Sequence, residues 1–247
     1  MKLRMSSIPL MLEYVAGLAS RPGDRETVRR ILDHEDYQFE LRRYKIPSAE
    51  HLIDYFSRLD TIAPEEIPDL SEDHRRNHLR EKHGQWLDCI GAPQKYADRY
   101  ERLKALFTDD FLAELQNRLA GMFPRGTEMI SDPAVVSTLS FGRSFGYPHE
   151  GALHLDLFGI DEYCTLEELP RIVLHEMHQM MKMAEGVSGE ESLLERYIRS
   201  FAWEGLAVKF CNNAEGVLSR RLEPGEPANQ GVTSIPLLNR RFEEHFR

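Results

Sequence analysis

Cysteine is scarce in this 247-residue chain, and the three cysteines present form no recognisable pattern. Cys89, Cys164 and Cys211 lie far apart, are odd in number and show no CxxC spacing. Such usage is typical of free thiols in a reducing compartment and argues against a disulfide scaffold.

Basic tracts and long apolar runs are also lacking. Lys and Arg number 31 against 41 Asp and Glu, for a formal net charge of −10, so we expect no nucleic-acid partner. No segment approaches the roughly 18 apolar residues of a membrane span. The apolar run 8–12 ends at Glu13, short of the roughly 7–15 residues of a signal peptide's core. We therefore expect a soluble, cytoplasmic protein that does not associate with membranes.

Proline, glycine and aspartate divide the first half of the chain into segments that we predict to be helices. The predicted helices cover residues 10–20, 25–33, 49–59, 71–90, 94–106 and 109–122. Asp24 and Ser48 suit N-cap positions, because their side-chain oxygens can accept amide hydrogens of the first turn.

Strand signals appear after residue 126. Residues 134–141 are rich in β-branched side chains, and residues 151–158 alternate leucine with His154 and Asp156, which is the period of a half-buried strand. The segment between them, 142–150, is predicted to be a loop because it is rich in Gly, Arg and aromatic residues.

Helices are predicted again in the last third of the chain. Thr165 and Glu168 form a capping-box pattern that opens one helix, and a second helix is predicted over 190–211. The chain is thus predicted to be an α+β protein, mostly helical, with a small sheet. We divide it into a helical region (1–125), a core (126–222) and a carboxy-terminal loop with a short helix (223–247).

The first of these helices carries a metal-ligand pattern, His175-Glu176-Met177-His178-Gln179. Hydrolytic zinc sites commonly use His-Glu-x-x-His, in which two imidazoles bind the metal and the glutamate takes a proton from water. Here Gln179 occupies the place of the second histidine. Residues 175 and 179 lie about 40° apart on a helix with Glu176 beside them, whereas 175 and 178 lie about 60° apart and face away from Glu176.

Three interpretations stay open at this point. Gln179 is a weak oxygen ligand in the usual geometry, or His178 is the second ligand, or no metal binds. We favour His175 and His178 as metal ligands, because an imidazole binds zinc far better than an amide oxygen does.

Glu204 supplies a carboxylate on the second helix. It borders an apolar stripe whose members recur at intervals of three and four: Leu194, Tyr197, Ile198, Phe201, Gly205 and Val208. A carboxylate that faces a core should be paired or bind a metal, because burying it alone is costly.

Strand 151–158, the His175-Glu176 helix and the segment Trp203-Glu204-Gly205-Leu206-Ala207, in that order, resemble zincin-like metallopeptidases of the gluzincin type. The likeness is to predicted bacterial zinc-dependent peptidases and covers roughly residues 130–215. It implies a zincin-like core behind the helical region, zinc bound by His175 and Glu204, Glu176 as general base, and residues 151–158 as the edge strand that pairs with an extended peptide.

The leading hypothesis is therefore a zinc-dependent peptidase or amide hydrolase acting on a peptide or protein. One alternative is a zincin-fold binding or regulatory protein without catalysis. Another is a metal enzyme of a different reaction type that uses His175, His178 and Glu204. Residues that could polarise a substrate carbonyl, although each is more often structural, are Tyr147, His149, Tyr163 and Tyr197.

Overall fold

The computed structural model describes residues 1–20, 23–46, 48–68, 79–123, 127, 129–142 and 144–184. Beyond residue 184 it describes only Ser192, Leu194, Glu195, Ile198, Arg199, Phe201, Ala202 and Ala207. The predicted segments 223–234 and 236–246, and most of the predicted helix 190–211, lie outside these residues. No helix in the described ranges combines the length and apolarity that crossing a membrane requires.

Eight α-helices and four strands make up the described part of the chain, which confirms the α+β class. The helices are α1 (Ser7–Gly17), α2 (Arg25–Leu32), α3 (Glu35–Arg43), α4 (Glu50–Ser57), α5 (Leu79–Gly91), α6 (Pro93–Leu106), α7 (Asp109–Gly121) and α8 (Leu169–Ala184). The strands are β1 (Lys2–Arg4), β2 (Ala134–Thr138), β3 (Gly146–His149) and β4 (Ala152–Asp156).

Local capping explains where several helices begin. Asp24 caps α2 as predicted, and its side chain accepts a hydrogen bond from the Thr27 amide at 3.0 Å. Ser48 instead lies one residue before the N-cap position Ala49, although its hydroxyl still accepts a hydrogen bond from the Glu50 amide at 3.3 Å. The early part of the predicted helix 71–90 lies outside the described residues, and α5 covers the rest.

The four strands form one sheet in the order β1-β2-β4-β3. β1, β2 and β4 run parallel, and β3 runs antiparallel to β4. The prediction that residues 151–158 form the edge strand is therefore wrong, because β4 pairs with β2 on one side and β3 on the other. Within the described ranges the sheet edge near α8 is β3, in the segment 142–150 that was predicted to be a loop.

A two-residue turn, Glu150-Gly151, joins β3 to β4. Both residues have positive φ, 47° and 73°, as in the type I′ turns that match the twist of paired strands. Arg42 of α3 forms an ion pair with Glu150 at 2.8 Å, which holds the tip of the hairpin against that helix.

A buried polar network joins α3 to the face of the sheet opposite α8. Glu40 Oε1 lies 2.7 Å from Nε2 of His154 and also accepts a hydrogen bond from Thr138. Its other oxygen accepts a hydrogen bond from the Phe141 amide at 3.3 Å and another from the Ser140 hydroxyl at 3.2 Å. Because Glu40, Thr138 and His154 are completely buried, their hydrogen bonds offset the cost of removing these groups from water.

The hydrophobic core is continuous across the described residues, with members from Met5 to Met181. The amino-terminal β1 also pairs with β2, although the two are separated by most of the helical region. The helices of the first half therefore pack on the same core as the sheet and α8. The division at residues 125 and 222 stays a prediction.

Candidate active site

Helix α8 opens with the predicted capping box. The Thr165 amide donates to Glu168 Oε2 at 2.9 Å, and the Glu168 amide donates to the Thr165 hydroxyl at 3.4 Å. The core-facing side of α8 is fully buried and consists of Leu169, Val173, Leu174, Met177, Met180 and Met181. On the opposite side, His175, Glu176 and Gln179 are partly exposed. Solvent and a substrate can therefore reach these three side chains.

His175 and Gln179 meet one turn apart on this exposed side. The Gln179 amide nitrogen lies 2.9 Å from Nε2 of His175. Rotating the amide by 180° would bring its oxygen to the same place, since the two ends of the group have nearly the same shape. The two side chains therefore direct donor atoms to one point, as an i, i+4 ligand pair does.

His178 lies on another side of the helix. It is only 1% exposed, and its ring stacks on Phe123 with centroids 4.7 Å apart and an interplanar angle of 20°. The sequence alone left open whether His178 or Gln179 accompanies His175. In the structure Gln179 is the residue that contacts it, and His178 packs against the segment after α7.

An open pocket of about 300 Å³ adjoins the exposed side of α8. Its lining includes the predicted metal ligand His175 and the predicted general base Glu176. The other described residues that line it are Tyr163, Cys164, Glu168, Arg171 and Ile172. Burial raises the pKa of the Cys164 thiol to about 12, with Glu168 and Asp161 adding to the effect, so this cysteine stays protonated at neutral pH.

The antiparallel strand β3 borders this site. A Cβ added to Gly146 would lie 3.7 Å from Cγ of Glu176, so the carboxylate side chain packs directly over the strand. The Asp156 amide donates to the Phe145 carbonyl at 2.8 Å. Because hydrogen-bonded and non-bonded positions alternate in an antiparallel pair, the backbone N–H and C=O of Gly146 point away from β4. Within the described part of the chain, no other strand pairs with this edge of β3.

The aromatic side chain of Tyr163 lines the pocket and lies against Phe145. Phe145 and Tyr163 lie with ring centroids 6.2 Å apart, and both pass over Gly159, where any Cβ would collide with Phe145. Tyr163 is 62% exposed and, among the described residues, is the one predicted carbonyl-polarising residue that lines the pocket. Tyr147 is buried in stacking contact with His154, on the α3 side of the sheet.

The second predicted helix contributes little to the described structure. Glu204 and Tyr197 lie outside the described residues, so their positions relative to His175 stay predictions. Leu194, Ile198 and Phe201 are exposed, which contradicts the expectation that their stripe packs on the core. Among the described residues no group of three or more His, Cys, Asp or Glu side chains is placed to hold a metal.

Comparisons of the chain with models of protein families, with curated proteins and with solved structures found no match.

Proposed function

We propose that this protein is a metal-dependent hydrolase of peptide or amide bonds, with Glu176 as general base and His175, Gln179 and Glu204 as metal ligands. The observation that carries the proposal is that His175 and Glu176 line one open pocket beside an antiparallel edge strand. A carboxylate and an imidazole beside an edge strand support hydrolysis of an extended chain, because such a strand can pair with the substrate backbone.

The side-chain donor atoms of His175 and Gln179 fit two coordination positions of a zinc ion. Zinc–nitrogen and zinc–oxygen bonds are about 2.0–2.2 Å long, so adjacent ligands in a tetrahedral site lie about 3.3 Å apart. The His175 and Gln179 atoms are 2.9 Å apart and need to separate only slightly. Glu204 is the sequence-based candidate for a third position. A metal held there would lower the pKa of a water molecule towards neutrality.

His178 does not belong to the proposed ligand set. Its ring is stacked on Phe123 in the core, and turning it towards Gln179 would break that packing. The i, i+4 geometry also keeps Glu176 on the same side as the ligand pair.

In the proposed hydrolysis, Gly146, Glu176 and Tyr163 have different roles. An extended substrate pairs with the free edge of β3 through the backbone of Gly146, as in β-strand addition. Glu176, which packs over Gly146, takes the proton of the attacking water and passes it to the nitrogen of the departing amine. Tyr163, which lines the pocket, donates a hydrogen bond to the substrate carbonyl in this proposal.

Two variants test this proposal. Gln179→His should raise zinc affinity at least tenfold, because imidazole is a much better zinc ligand than a carboxamide. Glu176→Gln should leave zinc affinity nearly unchanged and reduce hydrolysis of a peptide mixture by at least a hundredfold, the usual contribution of a general base. Zinc titration and mass spectrometry of the peptides provide the measurements.

His178→Gln serves as the control, with thermal unfolding to confirm that it folds. Unchanged zinc affinity supports the proposed pair, whereas loss of zinc from this variant alone would establish His175 and His178 as the ligands. If neither the wild type nor Gln179→His binds a divalent metal, the hydrolase proposal fails and the non-catalytic alternative replaces it.

A further inference from the structure

Arg171 introduces a positive charge into the same pocket as His175 and Glu176. It lies in the first turn of α8 and is exposed. His175 follows one helical turn later, about 6 Å along the axis. Arg171 and His175 therefore line the same pocket one helical turn apart.

This charge has no acidic partner within the part of the chain that the structure describes. The neighbouring carboxylate on the pocket wall, Glu168, turns towards Thr165, whose amide and hydroxyl donate to it at 2.9 and 3.1 Å. Many other described arginines are ion-paired, among them Arg4, Arg25, Arg42, Arg58 and Arg102.

A guanidinium that lines an open pocket is well suited to bind a carboxylate, since its parallel N–H groups match the two oxygens. Ile172 and the ring of Tyr163 line the same pocket as Arg171 and give it an apolar surface. The pocket thus combines an anion-binding group with space for a large apolar side chain.

We infer that Arg171 binds the terminal carboxylate of a peptide substrate, so that the site removes the last residue of a chain, preferably an apolar one. The inference rests on the proposed hydrolase function for its chemistry. Consecutive residues of a peptide are about 3.8 Å apart, so a terminal carboxylate held by Arg171 leaves the preceding amide bond near His175 and Glu176.

A binding experiment on the full chain, freed of metal so that no turnover occurs, tests Arg171 separately from catalysis. The probes are N-acetyl-glycyl-phenylalanine and its carboxy-terminal amide, titrated by calorimetry. The wild type should bind the acid about tenfold more tightly than the amide, as a hydrogen-bonded charge pair predicts. Arg171→Gln should remove this preference.

Two further variants show whether geometry or charge alone is responsible. Arg171→Lys should keep part of the preference, because lysine retains the charge without the paired N–H groups. Arg30→Gln removes an exposed arginine of α2, remote from the pocket, and should bind the acid as the wild type does. Equal affinity for acid and amide, no measurable binding of either, or a preference that survives Arg171→Gln would overturn the inference.

Hydrolysis by the zinc-loaded protein separates the two proposals. An Arg171-dependent preference for the acid without any hydrolysis would uphold the carboxylate site and reject the hydrolase. Hydrolysis at equal rates on acid and amide would reject the carboxylate site and leave the hydrolase intact.

Discussion

Gly142 determines how the segment before β3 packs against the end of α3. A Cβ at this position would overlap the ring of Tyr44, so only glycine lets the segment before β3 lie against α3. We predict that Gly142→Ala lowers the free energy of unfolding by about 1–3 kcal/mol, the usual cost of overpacking. Gly84→Ala is the matched control: it lies on the exposed side of α5 with nothing within 4 Å, and should stabilise by about 1 kcal/mol. Chemical denaturation measures both, and a neutral Gly142→Ala would contradict the packing argument.

The candidate site could be predicted from the sequence at the level of residue types, but only partly at the level of contacts. The spacing of His175, Glu176 and Gln179 places them on one side of a helix, and in the structure all three side chains are partly exposed. Periodicity could not decide the orientation of His178, because that depends on Phe123, which is distant in sequence. Arg171 was missed because one arginine in a helix carries no signal until its surroundings are known.

A buried ion pair joins α5 to the end of β4. Lys82 contacts Asp156, and the side chains are 5% and 0% exposed. Burial raises the pKa of Asp156, and Lys82 opposes this effect. We predict that Lys82→Met destabilises the protein by about 3–5 kcal/mol, because it leaves a buried carboxylate without its partner.

The double variant Lys82→Met with Asp156→Asn should recover much of this loss. Asparagine retains the oxygen that accepts hydrogen bonds from the Ser140 and Phe158 amides at 3.2 and 3.0 Å. Denaturation of the two single variants and the double variant gives the coupling energy. Additive effects would show that Lys82 and Asp156 do not stabilise each other.

Several elements with strong local signals were predicted from the sequence, whereas β1, β3 and helix α3 were not, although α3 with nine residues is longer than α2 and α4. The capping box of α8 and the N-cap of α2 were correct because each depends on residues three apart in the chain. β1 has only three residues and acquires its structure from pairing with β2. β3 contains Gly146 and Pro148, which disfavour a strand locally, and its pairing with β4 and its edge position overcome that preference.

At the scale of the whole molecule, the sheet separates two kinds of environment. The α3 side holds the closed network of Glu40 and His154, which substrates cannot reach because both side chains are fully buried. The α8 side holds the open pocket with His175 and Glu176. Structural polar groups and candidate reactive groups are thus kept apart by the buried strands β2 and β4.

Global stability should depend on pH through histidines that folding removes from water. Burial lowers the pKa of His83, which lies on α5 with its Nδ1 2.9 Å from the Tyr55 hydroxyl. Because the folded pKa lies below the unfolded value of about 6.5, the unfolded chain binds more protons between the two values. The free energy of unfolding should therefore fall as the pH drops from 7.5 to 5.5. In His83→Gln that decline should be shallower than in the wild type. Urea denaturation across this range measures the slopes, and identical slopes for wild type and His83→Gln would rule out His83 as a source of the pH dependence.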